Sequence, residues 1–302
     1  MKQEQETKSR VIAVVGPTAS GKSALAVEIA RLVGGEVVSV DSRQVYTGLD
    51  IGTGKVTKSE MRGVPHHLLD VANPKRAMSV VQYERLATHA IRDILKRGKV
   101  PIICGGTGLY IDAVLTSTSF PAVPPNAKLR KELEKLSAKK LFKKLKKLDH
   151  VRAETIDAKN PRRLIRAIEI AKALGCVPVS SPVTEHYDTL HIGLTLPKEQ
   201  LEERIHTRLL ARMKRGMVAE ACRLHEQGLS WKRMDSLGLE YRFLAQFLQK
   251  KITKEEMTEL LNIAIRQYAK RQMVWFKRNK NIKWFQPADF KKIYATVSNF
   301  LN

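Results

Sequence analysis

Apolar positions along this chain follow two periods. Short runs rich in β-branched residues, Val11–Gly16, Glu36–Asp41, Val100–Gly105, His191–Leu196 and Asn281–Phe285, predict strands. Between them lie long amphipathic stretches, and strands joined by helical crossovers make a parallel sheet with helices on both faces. The expected fold class is α/β, a mainly parallel central sheet flanked by helices. One connection is far longer than a crossover needs. It leaves near Thr116, passes Pro121, Pro124 and Pro125, and returns through Pro182–His186. Helical in pattern and rich in lysine, it predicts an inserted all-helical subdomain over residues 116–190, within a core made of residues 1–115 and 191–302.

With 43% hydrophobic residues among 302, the chain can bury a sizeable core, which excludes a disordered tail. Charge changes the picture more. Lys and Arg number 54 against 30 Asp and Glu, a net charge of +24 that favours a polyanionic partner. Cys104, Cys176 and Cys222 are odd in number and far apart, so neither a disulfide framework nor a zinc spacing is present, and a reduced cytoplasmic compartment is expected. Met1–Arg10 is polar and no apolar run reaches bilayer length, so no membrane association is expected.

Gly16-Pro17-Thr18-Ala19-Ser20-Gly21-Lys22-Ser23 matches G-x-x-x-x-G-K-[ST], and it stands between a predicted strand and a helix-like run, the context a P-loop requires. Glycines let successive N–H groups point into one concavity, and the helix N-terminus adds positive potential. Lys22 supplies a point charge and Ser23 a ligand for Mg²⁺. A diphosphate fits that cradle. Nucleotide-hydrolysing P-loop enzymes place an acid at the end of a later strand. Here that strand runs into Gly105-Gly106-Thr107-Gly108 instead, where glycines permit close approach to a ligand and Thr107 can donate a hydroxyl to phosphate. The nearest strand-terminal acid is Asp41, which reads as a Mg²⁺ ligand, a helix cap or a catalytic group.

Basic residues cluster. Lys128, Arg130, Lys131, Lys135, Lys139, Lys140, Lys143, Lys144, Lys146 and Lys147 outnumber Glu132, Glu134 and Asp149, an imbalance suited to a phosphate backbone. Arg266–Arg278 mixes cations with aromatics and has no acid, as in surfaces that stack unpaired bases, although Met273 and Phe276 fall at core spacing. Arg204, Arg208 and Arg212 line one helix face, from which an arginine could close over a leaving diphosphate. His66 and His67, adjacent on an extended segment, point apart and read as ordinary hydrogen-bonding residues, not a metal site.

In order along the chain, Gly16–Ser23, Asp41–Tyr46, Gly48–Thr53, Pro65–Asp70, Gly105–Tyr110, Asn160–Ala167 and Arg271–Phe276 together resemble the tRNA dimethylallyltransferases, also called tRNA isopentenyltransferases. The set spans nearly the whole chain. Leu237–Arg242 departs from the family's Gly-Tyr-Lys/Arg-Glu stretch, and no counterpart of the C-terminal zinc finger of eukaryotic relatives is expected. The resemblance implies transfer of a dimethylallyl group from dimethylallyl diphosphate to N6 of adenosine 37, in tRNAs that read codons beginning with U. It implies Asp41 and Thr107 as catalytic residues and Mg²⁺, at Ser23, as cofactor. Gly16, Thr18, Ala19, Ser20, Gly21, Lys22, Ser23 and Arg208 would hold the diphosphate. Asp41, Ser42, Arg43, Gln44, Arg130, Arg162, Arg163, Leu164, Ile165, Arg166, Lys270, Arg271 and Gln272 would contact the anticodon stem-loop of tRNA. A monomer is expected. Two other readings of the residues are a P-loop small-molecule or nucleotide kinase and a non-catalytic RNA-binding P-loop protein.

Overall fold

In the middle of the sheet, β1 (Arg10–Val15) is apolar at every position after Arg10 and buried on both faces, as a strand covered by helices on two sides must be. The computed structural model describes residues 8–118, 120–178 and 184–302. The other strands are β2 (Glu36–Val40), β3 (His66–His67), β4 (Pro101–Gly105), β5 (Asp188–Leu194) and β6 (Lys283–Phe285), in the order β3-β2-β4-β1-β5-β6 with every pairing parallel. The helices are α1 (Lys22–Val33), α2 (Lys58–Met61), α3 (Val80–Lys96), α4 (Gly108–Leu115), α5 (Ala127–Leu133), α6 (Ala138–Leu148), α7 (His150–Thr155), α8 (Pro161–Leu174), α9 (Lys198–Lys214), α10 (Met217–Glu226), α11 (Trp231–Leu237), α12 (Leu239–Leu248), α13 (Lys254–Phe276) and α14 (Phe290–Leu301). The α/β class is as the periodicity implied, with one strand more. That strand, β3, pairs only His66 and His67 with Val37 and Val38 at the sheet edge. Two histidines carry no strand signal.

Alternate residues of β1 feed opposite layers. Val11, Ala13 and Val15 join a core with α3, α4, α9 and α13, while Ile12 and Val14 join one with α1 and α14. Each of these valine and isoleucine side chains, fully buried, stabilises the fold by about 1.5–3 kcal/mol. From β1 the chain moves to β2 on one side, whereas β5 and β6 lie on the other. Sheets that reverse in this way bind ligands in the crevice beyond the carboxyl ends of their central strands.

By its contacts the chain divides into two units, one formed by the residues up to Ser117 and from Glu185 onward, the other by Thr118–Thr184. These limits lie inside the 116–190 read from the sequence, because the returning chain rejoins the first unit at once: Thr116 bridges Glu185, and the His186 amide donates to the Leu115 carbonyl at 2.8 Å. Described alone, the second unit contains α5–α8 packed around Leu133, Leu141, Leu145, Ile156, Leu164, Ile165 and Ile168. Its helix starts are capped by side chains: Asn126, Ser137, Asp149 and Asn160 each accept a first-turn N–H, and Pro161 occupies the first position of α8.

Candidate active site

The turn between β1 and α1 is built from conformations that few residues adopt. Gly16 has φ 141°, and a Cβ there would lie 2.5 Å from the Leu194 carbonyl oxygen on β5. Gly21, at φ 97°, leads into α1, and Ala19 holds φ 63° despite its Cβ. Lys22 Nζ donates to the Pro17 carbonyl at 2.6 Å. Burial, opposed by Cys104 and Asp41 and assisted by Arg208, lowers its ammonium to about 8. Ser20 Oγ is buried with no hydrogen-bond partner among the described residues, a hydroxyl left over inside the loop. Ser23 is exposed at the first turn of α1.

The second wall comes from the ends of β4 and β2. Its glycines answer to the protein itself: a Cβ on Gly105 would meet the Val40 carbonyl at 1.9 Å, on Gly106 the Gln272 amide at 2.2 Å, and on Gly108 the Trp275 ring at 2.2 Å. The close approach expected toward a ligand is thus an approach of β2 and α13. Thr107 Oγ1 accepts the Ser42 N–H at 3.1 Å. Ser42, Arg43 and Gln44 are half-buried in the turn that follows β2. There Asp41 Oδ1 accepts the N–H groups of Arg43 at 2.8 Å and Gln44 at 3.2 Å, and no donor among the described residues reaches Oδ2. Asp41 is therefore a turn cap with one oxygen and an open acceptor with the other. Its charge reaches the phenols of Tyr83, Tyr110 and Tyr268, which burial first of all pushes up, Tyr110 to about 12.

Helices α9 and α13 close the site. Arg208 Nη2 donates to the Gly54 carbonyl at 2.9 Å, and Arg208 lines one pocket with Ala19, Gly21, Arg204 and Thr207 and another with Ser23 and Gly54. Although open to solvent at the pocket mouth, its guanidinium is lowered by the surrounding protein and then by Arg212. Arg212, on the same face, is instead buried and donates to the Gly52 carbonyl at 2.7 Å and to Glu240 at 2.9 Å. On α13, Lys270 and Arg271 are exposed, whereas Gln272 is buried, its Oε1 accepting the Thr18 N–H at 2.8 Å and its Nε2 donating to the Gly106 carbonyl at 2.8 Å. Tyr268, one turn earlier, stands beside the Thr107 hydroxyl.

Sequence reasoning missed Glu220. Its buried carboxylate accepts the N–H groups of Asp50 (3.0 Å), Ile51 (2.7 Å) and Gly52 (2.9 Å) and the Tyr241 hydroxyl (2.7 Å), tying down the loop that carries Gly54. The departure at Leu237–Arg242 supplies two of these supports: Tyr241 to Glu220, and Glu240 to Arg212. Only an isolated acid on an otherwise apolar face of α10 signals Glu220 in the sequence.

In the second unit, considered alone, Leu164 and Ile165 are core residues, so their side chains are not at an RNA-facing surface. Arg130 and Arg166 both bond the buried carboxylate of Glu169, Arg130 through Nε at 2.7 Å and Nη2 at 2.6 Å and Arg166 at 3.2 Å. Burial would raise Glu169, but these bonds and the Asn126 amide hold it below its usual range. Arg162 and Arg163 are exposed. So are Lys139, Lys140, Lys143, Lys144, Lys146 and Lys147 of α6, and no carboxylate among the described residues pairs with any of them. No three His, Cys, Asp or Glu side chains among the described residues gather as a metal cluster. His66 and His67 bond Val64 and Glu36. No helix among the described residues is long and apolar enough to cross a membrane.

A parallel sheet with a glycine-rich loop running from its central strand into a helix, and a carboxylate in the turn after β2, resembles the frame on which P-loop proteins hold anions. Comparison with known proteins narrows the class. The family described as IPP transferase matches residues 44–279, and the chain belongs to that family. A tRNA dimethylallyltransferase of Exiguobacterium sp. is 41% identical over 97% of both chains. A tRNA dimethylallyltransferase 2 of Treponema denticola is 44% identical over 90% of this chain and 92% of its own. Among solved structures, the tRNA isopentenylpyrophosphate transferase of Bacillus halodurans superposes with a TM-score of 0.73 at 38% identity, covering 97% of this chain and 96% of that one.

Proposed function

We propose that this protein transfers the dimethylallyl group of dimethylallyl diphosphate to N6 of adenosine 37, beside the anticodon of tRNAs that read codons beginning with U, and releases diphosphate. One observation carries the reading: a carboxylate with an open oxygen, Asp41, stands close enough to the glycine-rich loop for its charge to act on the Lys22 ammonium. The exocyclic amine of adenine is conjugated with its ring and weakly nucleophilic, so its proton must leave as the N–C bond forms. Asp41 Oδ2 accepts that proton. At the other end the allylic C–O bond breaks and negative charge collects on the diphosphate. The amides of Ser20–Ser23, the Lys22 ammonium, the Ser20, Thr18 and Thr107 hydroxyls and Arg208 meet that charge in place.

Ser23, an exposed neutral oxygen lining the pocket it shares with Arg208, suits Mg²⁺, which takes few protein ligands and several phosphate oxygens. Bound there, the ion would neutralise part of the leaving group's charge. The target base leaves its stack to reach the crevice, at a cost of a few kcal/mol that contacts elsewhere offset. To those contacts we assign Ser42, Arg43 and Gln44 with the exposed Arg162, Arg163, Lys270 and Arg271, in a cytoplasmic, monomeric enzyme. The kinase reading gains no support, since Arg212 is engaged with Gly52 and Glu240 and β4 ends in Cys104-Gly105 where such enzymes carry an acid.

Incubation with dimethylallyl diphosphate, Mg²⁺ and unmodified tRNA tests the proposal. Adenosine should gain the mass of one prenyl unit, with one diphosphate released per transfer. Brisk consumption of ATP with tRNA left unprenylated under saturating donor would contradict it.

A further inference from the structure

The family resemblance counts Gln272 among the tRNA contacts, yet its side chain is 6% exposed and both ends of its amide are taken. A glutamine amide has one accepting and one donating end, and here the backbone decides which faces where. The Thr18 N–H requires Oε1, and the Gly106 carbonyl requires Nε2. Each bond is 2.8 Å long. Gly106 admits this approach because any side chain there would collide with Nε2. The next residue is Thr107, whose hydroxyl takes the Ser42 N–H beside Asp41. One continuous path of short links thus runs from the diphosphate loop through Gln272 and Thr107 to the carboxylate.

We propose that Gln272 is a positioning residue whose amide clamps the diphosphate loop to the Gly106–Thr107 loop and so sets the spacing between the leaving group and Asp41. The inference rests on the transfer reaction proposed above and adds a specific consequence. When the two loops are held in register, cleavage of the allylic C–O bond is matched by formation of the N6–C bond and delivery of the proton to Asp41. When they are not, the C–O bond still breaks, but the allylic carbon takes the oxygen of water. The products are then dimethylallyl alcohol, diphosphate and a proton, and tRNA is unchanged.

The test uses the full chain with dimethylallyl diphosphate, Mg²⁺ and tRNA, and compares wild type with Gln272→Ala and Gln272→Glu. The glutamate variant keeps the size and the acceptor for Thr18 but sets a carboxylate oxygen against the Gly106 carbonyl. Prenylated tRNA and dimethylallyl alcohol are counted per diphosphate released, beside the Kd for tRNA and its salt dependence. We expect kcat for transfer to fall by about 100-fold, the scale of a small misplacement of reacting groups. The alcohol's share should rise in both variants while tRNA affinity and salt slope stay at wild-type values. Partial unfolding alone lowers the active fraction without changing the product ratio. An unchanged ratio in both variants, or a loss confined to tRNA affinity, would overturn the clamp and leave the enzyme's reaction standing. A wild type that prenylates no tRNA would overturn the reaction itself and the clamp with it.

Discussion

Lys22 shows most directly how burial shapes the chemistry of a single residue. Because its folded pKa of about 8 lies below that of a free lysine, the free enzyme carries the ammonium below about pH 8 and loses it above. The kcat/KM for the diphosphate donor should therefore fall as pH rises through about 8. A bound diphosphate favours the charged form, so the matching bend in kcat should lie at higher pH. In Lys22→Arg the guanidinium stays charged and the bend at about 8 should vanish, which a pH–rate series checks. The loop around Lys22 was legible in the sequence because a backbone anion nest demands glycine and lysine at set spacings. Gln272 was not, because Arg266–Arg278 reads as one basic, aromatic face. The available signal was periodic: Ile265, Ala269, Gln272 and Phe276 form one buried stripe of α13, and a lone amide in such a stripe must find polar partners inside.

At the scale of elements, Glu36 ties the start of β2 to the end of α3 and to β3. Its buried carboxylate accepts from Arg97 at both oxygens, from Lys99 at 2.8 Å and from His67 at 2.7 Å. These bonds, those of Arg97 foremost, hold it well below the usual carboxylate range against the opposing effect of burial. A depressed folded pKa gives stability that is complete above the unfolded value of about 4.3 and is lost progressively as pH falls below it. Glu36→Gln should cost about 2 kcal/mol at neutral pH by denaturant unfolding. The gap between variant and wild type should narrow as the medium is acidified below about pH 4.3; a gap independent of pH would contradict the assignment. The strands that run through the core could be read from their apolar residues, whereas β3 could not, since two paired histidines at an edge owe their conformation to Glu36 and Val37–Val38.

For the whole molecule, the excess of 24 positive charges was visible in the composition, and so was the lysine-rich stretch. Which cations are free was not. Folding consumes Arg130, Arg166 and Arg212 on Glu169 and Glu240 and leaves the α6 lysines exposed. Replacing Lys139, Lys140, Lys143 and Lys144 with glutamine should weaken tRNA binding and reduce the slope of log K against log salt by about 3, with kcat at saturating tRNA unchanged. An unchanged slope would remove α6 from the RNA surface. Beneath all of this lies one chemical claim, that the carboxylate of Asp41 takes the proton of the attacking amine while the loop around Lys22 receives the departing diphosphate. Single-turnover transfer from dimethylallyl diphosphate to tRNA by Asp41→Asn tests it most directly. The rate should fall by about 10²–10⁴-fold with donor affinity unchanged, and transfer at near wild-type rate would contradict the role of Asp41 as base.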